Sequence, residues 1–270
     1  MADRVSIAEC LRKVREATAA HSSDCLYRGE ASLYPATRSS HYRLFSESNG
    51  FTDDQARAVK ERLLIIAQLL EVVGLGRPVF ARAEDALKHA APMRLEDVNE
   101  VIYCFMQHYH LATPFIDLTT DINVGAAFAA DGASKDDESE TRRGVIYLVS
   151  RKGLEGQGFR LFDSADSAAT RPRRQKAVSL FLESDTNFQA LPGPVLTRFE
   201  FEDTCAAIAR YDDPGVYDAA GDRIAREVAM LTYRCAYEDL ASDDPSHGRV
   251  TKYFSQIAYR LADAGAVPRA

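Results

Sequence analysis

The chain has 270 residues, which at about 150 residues per domain allows one large domain or two small ones. Hydrophobic residues make up 46% and charged residues 27%, an ordinary globular balance that excludes collagen-like, coiled-coil and broadly disordered chains. Lys and Arg number 33 against 40 Asp and Glu, so the net charge is -7 and the pI about 5.5; bulk positive charge cannot be what holds nucleic acid, although a local basic groove could.

From the N-terminus, MADRVSIAECLRKV places charges where a secretory leader needs an apolar run, and no run reaches the about 18 apolar residues of a membrane span. A cytoplasmic protein without membrane contact is expected. Ser6 and Glu9 have capping-box spacing, and Ile7, Leu11 and Val14 follow at helical intervals, predicting a helix over 6–20. Cys25 to Gly29 reads as a strand with Arg28 at its end, and Ser32 to Pro35 as a turn. A long helix is predicted over 53–73 on the stripe Ala56, Val59, Leu63, Ile66, Ala67, Leu70, stopped by Gly74, Gly76 and Pro78. Another runs over 95–108 with Val98, Ile102, Phe105 and Met106 inward.

Phe115 to Leu118 is a short buried strand, and Thr120 or Asp121 can cap an Ala-rich helix through Ala130. The acidic stretch 131–143 reads as an exposed loop rather than a metal cage. Strands are predicted at 144–149, 177–182 and 195–201. Helical stripes return at Ile224, Val228, Leu231, Cys235 and at Val250, Phe254, Ile257, Leu261, with a loop over 242–248 between them. With no linker or repeat, one α+β domain over 1–270 is expected, with small mixed or antiparallel sheets, a helical insertion at about 51–108 and a helical part at about 203–265. The five scattered cysteines, without a CxxC pair, suit reduced thiols.

No HExxH, G-x-S-x-G, P-loop or post-strand GxGxxG is present. Polar residues concentrate instead at Tyr27-Arg28-Gly29, from Gln107 through His108, Tyr109 and His110 to Thr119, and at Arg173-Arg174-Gln175. Arg28 can pair with Glu30 or Asp24, and Asp117, inside an apolar run, needs a partner if buried, for which Arg28 is the natural candidate. His108 could bond Asp117 or line a pocket. Thr119 and Thr120 could be capping hydroxyls. The cluster Arg171, Arg173, Arg174, Lys176 reads as a solvated loop or as a contact to phosphate, in NAD or a nucleic acid backbone. Asp117 and Asp121 could serve a metal-dependent nuclease, although such pairs are common without metal.

At these residues the sequence resembles the FRG domain family, whose motifs are met by Tyr27-Arg28-Gly29, Leu33 to Arg38, Gln107 to Thr119, Ala126 to Ala129 and Arg171 to Phe181, together spanning most of 26–185. It departs from the family pattern at His110 and Ser179, where glycine is usual, at Phe115, where a polar residue is common, and at Leu118, where tryptophan is typical. The order of motifs is also similar to that of ADP-ribosyltransferases, in which two facing sheets grip NAD. That resemblance implies Arg28 and Gly29 at the NAD phosphates or ribose, with His108 and Tyr109 around the pocket. It further implies Thr119 on the nicotinamide side, Gln175 where the catalytic glutamate would stand, and Asp117 taking the proton that a glutamine cannot. The implied activity is NAD-dependent ADP-ribosyl transfer or NAD glycohydrolysis on a macromolecule, protein or nucleic acid, as in a toxin or antiviral defence component, with NAD as substrate and no metal. The alternative is a non-catalytic domain that binds nucleic acid or protein.

Overall fold

The computed structural model describes residues 5–20, 24–45, 51–74, 100–163, 170–183, 185–220, 222–237 and 247–266. In chain order the described elements are α1 (Ile7–Ala20), β1 (Cys25–Glu30), α2 (Ser40–Phe45), α3 (Asp53–Gly74), α4 (Glu100–His108), β2 (Phe115–Thr119), α5 (Ile122–Ala130) and β3 (Thr141–Ser150). They continue with α6 (Arg151–Gly156), β4 (Leu161–Asp163), α7 (Thr170–Arg174), β5 (Ala177–Phe181), a 3-10 turn (Phe188–Ala190), β6 (Leu196–Thr204), α8 (Cys205–Ile208), α9 (Pro214–Tyr217), α10 (Arg223–Tyr237) and α11 (His247–Asp263). The class is α+β. Contacts group the chain into two units: residues up to Arg38, Ile116–Ala165 and Arg174–Val216 form the first, and Ser39–Phe115, Asp166–Arg173 and Tyr217 onward the second.

The first unit is built on a six-stranded sheet in the order β4-β5-β2-β1-β3-β6. β1 runs antiparallel to both β2 and β3, and β3 to β6. Where the resemblance to ADP-ribosyltransferases implies two facing sheets, the described strands lie in one. Strand alternation divides its faces. Leu26, Ile116, Leu118, Val145, Tyr147, Val149, Val178 and Leu180 fill one side with Leu154, Phe188 and Leu191. Tyr27, Ile146, Leu148 and Phe201 fill the other, against Ile7, Leu11 and Val14 of α1 and Ala126 and Ala129 of α5. Each such side chain taken fully out of water stabilises the fold by roughly 1.5–3 kcal/mol before chain entropy is counted.

The chemistry that starts each helix is local. Ser6 Oγ accepts from the Glu9 amide at 3.2 Å, as the capping-box spacing predicts. Of the two candidate caps for α5, Asp121 is the one used, accepting from the Asn123 amide at 2.8 Å. At the far end of α5, Arg142 donates to the carbonyls of Ala129 (3.1 Å) and Asp131 (2.8 Å), closing the last turn. That contact belongs to a correction: β3 begins at Thr141, three residues before the predicted strand. The early start follows from Thr141, Arg142 and Arg143 pairing with Thr204, Asp203 and Glu202, so only the stretch 131–140 is the exposed loop.

The second unit is helical. Val59, Leu63, Ile66 and Leu70 of α3 pack with Ile102 and Met106 of α4, Ile224, Val228 and Leu231 of α10, and Val250, Phe254, Ile257 and Leu261 of α11. Most of the predicted stripe residues are therefore core; Ala56 is only half-buried and outside it, Cys235 is partly buried against it, and the side chain of Phe105 lies outside what is described. Thr52 and Gln55 form a reciprocal cap at the start of α3, each backbone amide donating to the other's side chain at 3.0 and 3.3 Å. Val98 and the predicted helix start at 95–99 lie outside the described residues, as do Gly76, Pro78 and most of the 242–248 loop, whose last two residues open α11. All five cysteines are free thiols, four of them buried.

Candidate functional site

Pairing of Arg28 with Tyr147 puts Arg28 and Glu30 on the same face of β1 as the Tyr147 ring. Arg28 Nε donates to Glu30 Oε1 at 2.9 Å, and Nη1 donates to the Asp117 backbone carbonyl at 2.9 Å. Among the described residues Nη2 meets no protein acceptor, and the Arg28 side chain keeps 21% of its surface exposed against 3% for Glu30. The predicted partner Asp117 thus contributes its carbonyl, not its carboxylate. By alternation with Ile116 and Leu118, the Asp117 side chain lies on the opposite face of β2.

Glu30 is the group that sequence reasoning undervalued. Its carboxylate also accepts from Thr37 Oγ1 (2.9 and 3.1 Å) and from the Tyr147 hydroxyl (3.3 Å). Burial and then the Glu30 charge push the Tyr147 hydroxyl up to about 12, so it stays protonated and donates. Thr37 is pinned in turn: its amide donates to Asn187 Oδ1 at 3.0 Å, its carbonyl accepts from the Phe188 amide at 2.8 Å, and Gln189 Nε2 donates to its hydroxyl at 2.8 Å. Gln189 Nε2 also reaches the Tyr34 carbonyl at 3.0 Å. Within the Leu33 to Arg38 motif, Thr37 is thus the residue that meets Glu30. A carboxylate two residues past Arg28 in a strand was the available signal, since i and i+2 share a face.

Thr119 pairs with Tyr27 and so lies on the face opposite Arg28. Its fully buried hydroxyl donates to the Gln175 backbone carbonyl at 2.8 Å and accepts from the Asp121 amide at 3.0 Å. Gln175 is buried too, and its Nε2 donates to the Val216 carbonyl at 3.2 Å. Thr119 and Gln175 are thus brought together, but through bonds that tie β2, the start of α5 and the approach to β5, while Arg28 stands across the sheet. Gly29 also faces α5: a Cβ there would lie 1.9 Å from the Gly125 carbonyl oxygen and 2.6 Å from the Ala129 nitrogen. Its place is close helix-on-strand packing rather than contact with a cofactor.

The basic cluster divides. Arg173, Arg174 and Lys176 are exposed, but Lys176 is ion-paired to Asp121 at 2.7 Å. Burial works against ionisation of Asp121, yet Lys176 and the Asn123 amide outweigh it and hold the carboxyl below its ordinary value. Arg171 is not the solvated side chain expected. It is buried on α7, a helix read from the sequence as loop, and its Nη1 lies 3.2 Å from His110 Nε2.

His108 and Tyr109 lie in the second unit, both buried. The Tyr109 hydroxyl donates to Asp222 Oδ2 at 2.7 Å, and burial, reinforced by that carboxylate, pushes its pKa up. Asp222 also accepts from the amides of Thr170 and Arg171 (3.2 Å each), Ile224 (2.9 Å) and Ala225 (3.2 Å), so one carboxylate caps α10 and anchors α7. An Asp just before a helical stripe was the missed signal. His110 has φ 65°, the left-handed backbone that explains why glycine suits this position. Burial first, then the charges of Arg171 and Arg260, push its imidazole down to about 3, so it is neutral and can accept from Arg171.

Among the described residues no three His, Cys, Asp or Glu side chains gather as metal ligands, and no helix is long and apolar enough to cross a membrane. An apolar groove of about 390 Å³ runs between α10 and α11 with Met230, Tyr233 and Tyr259 exposed along it.

The family model of the FRG domain matches residues 23–138 of the chain. That span takes in Tyr27-Arg28-Gly29, the Leu33 to Arg38 segment, Gln107 to Thr119 and Ala126 to Ala129; the segment holding Arg171 and Gln175 lies beyond it. No curated protein and no solved structure matches the chain.

Proposed function

We propose that this protein binds NAD and either transfers its ADP-ribosyl group to a macromolecule or hydrolyses it, with Arg28 as the contact to the diphosphate. The observation that carries the reading is the half-satisfied guanidinium: two nitrogens are engaged by Glu30 and the Asp117 carbonyl, and the third is left to a ligand at a partly exposed position. A fixed arginine with open N–H donors fits paired phosphate oxygens.

Cleavage breaks the bond between the ribose and nicotinamide; nicotinamide leaves with the electron pair, positive charge develops on the ribose, and the oxygen of water or of the acceptor attacks that carbon while giving up its proton. Gln175 cannot take that proton, and its amide is committed to the Val216 carbonyl. Within this reading Thr119 and Gln175 hold β2 and α5 in place, and the proton passes to water or to a base on the acceptor.

The test is thermal unfolding of wild type, Arg28→Ala and Arg28→Lys with and without millimolar NAD. A ligand that binds only the folded state raises the unfolding temperature. A rise in wild type that Arg28→Ala loses and Arg28→Lys largely loses is expected. No rise in wild type would overturn the NAD reading in favour of a non-catalytic interaction domain.

A further inference from the structure

We infer that Glu30 is a positioning residue for Arg28, presenting its free guanidinium edge to a diphosphate, and that Thr37 and Gln189 hold Glu30 for that purpose. This rests on the reading of Arg28 as a phosphate contact. The Glu30 carboxylate is nearly inaccessible, and its donors come from three separate places: Arg28 on its own strand, Thr37 on the following loop and Tyr147 on β3. Such a closed carboxylate does not touch the ligand; it acts through the one donor that is also exposed.

Nε on Glu30 and Nη1 on the Asp117 carbonyl are two anchors in one rigid plane, so the guanidinium cannot rotate. Among the described residues, the N–H groups left over belong to Nη2 and the second hydrogen of Nη1, a fork that donates to two oxygens side by side. An unanchored arginine would have to lose its rotamer freedom on binding. Glu30 removes that cost beforehand. Gln189 enters because its amide bridges the Thr37 hydroxyl and the Tyr34 carbonyl, fixing the loop whose hydroxyl orients the carboxylate.

Isothermal titration with two probes, inorganic pyrophosphate and NAD, on wild type, Glu30→Gln, Arg28→Ala and the double variant tests the inference, with the fold of each checked by unfolding. Glu30→Gln keeps the shape and loses the charge; it is expected to weaken pyrophosphate binding about tenfold, the scale of one charge-assisted hydrogen bond. In the Arg28→Ala background it is expected to change nothing further, because a residue acting through Arg28 has nothing left to act on. Should Glu30→Gln not fold, Thr37→Val carries the same cycle with a several-fold loss. Wild-type affinity in a folded Glu30→Gln, or an equal loss with and without Arg28, would overturn the inference. Pyrophosphate binding without NAD binding would sink the NAD reading alone, leaving the cycle to decide on Glu30; binding of neither would overturn both.

Discussion

Arg28 and Glu30 stand two residues apart on one strand, on one face, joined at 2.9 Å with the carboxylate buried and the guanidinium at the edge of solvent. Removing the arginine leaves Glu30 buried with only the neutral donors of Thr37 and Tyr147. Arg28→Ala is therefore expected to lose about 3 kcal/mol in urea unfolding at pH 7, the usual scale for orphaning one member of a buried pair. Arg28→Lys, which keeps the charge but not the second anchor, is expected to lose less. A loss below about 1 kcal/mol for Arg28→Ala would class the pair with exposed ones.

Gly29→Ala should be among the most damaging small substitutions in the chain. The added methyl would stand 1.9 Å from the Gly125 carbonyl oxygen, and α5 would have to move off β1 to admit it. About 3 kcal/mol or more is expected in denaturant unfolding. An unfolding midpoint equal to wild type would mean that α5 does not lie on this strand.

Acid sensitivity should carry a contribution from His110. Its imidazole titrates near 3 in the folded chain against 6.5 when unfolded, so between those values the unfolded state binds a proton that the folded state refuses. Stability attached to the neutral ring is complete above about pH 6.5 and declines as pH falls toward 3, by up to about 1.4 kcal/mol per pH unit. His110→Asn, which tolerates the left-handed backbone and does not titrate, should flatten the decline between pH 6.5 and 5. Parallel stability curves for the two proteins would rule out a histidine held neutral in the fold.

Asp222 and Tyr109 offer a check on the second unit. Tyr109→Phe removes one donor from a carboxylate that has four others, and about 1 kcal/mol is expected. Asp222→Ala leaves the Tyr109 hydroxyl and several amides unsatisfied and uncaps α10; about 3 kcal/mol or more is expected. Adding Tyr109→Phe to Asp222→Ala should then cost little, because the hydroxyl has already lost its acceptor; full additivity in the double variant would contradict the contact.

The longer helices and most strands were legible because their signals are local, whereas the short α2, α6, α8 and α9 were not predicted. The stripe of α3, the Ser6 cap and the apolar run of β3 all follow from a few neighbouring residues. The short β4, and α7 with its buried Arg171, were not legible, because each is held by distant partners: Leu180, Ser179 and Val178 for the one, the Asp222 carboxylate for the other. Arg28 stood out by its motif and Glu30 was legible as its possible ion-pair partner, a pairing the structure has; what was not legible was Thr37 and Tyr147 closing over the carboxylate.

Sequence alone determined the α+β class, the free thiols, the apolar faces of the helices and the FRG motifs, all properties carried by residue type and short-range spacing. Tertiary structure decided which face of the sheet each motif residue occupies. Strand pairing set Arg28 with Glu30 and Tyr147 on one side, and Thr119, Gly29 and the Asp117 carboxylate on the other. A register shift of one residue would exchange those sides without altering a letter of the sequence.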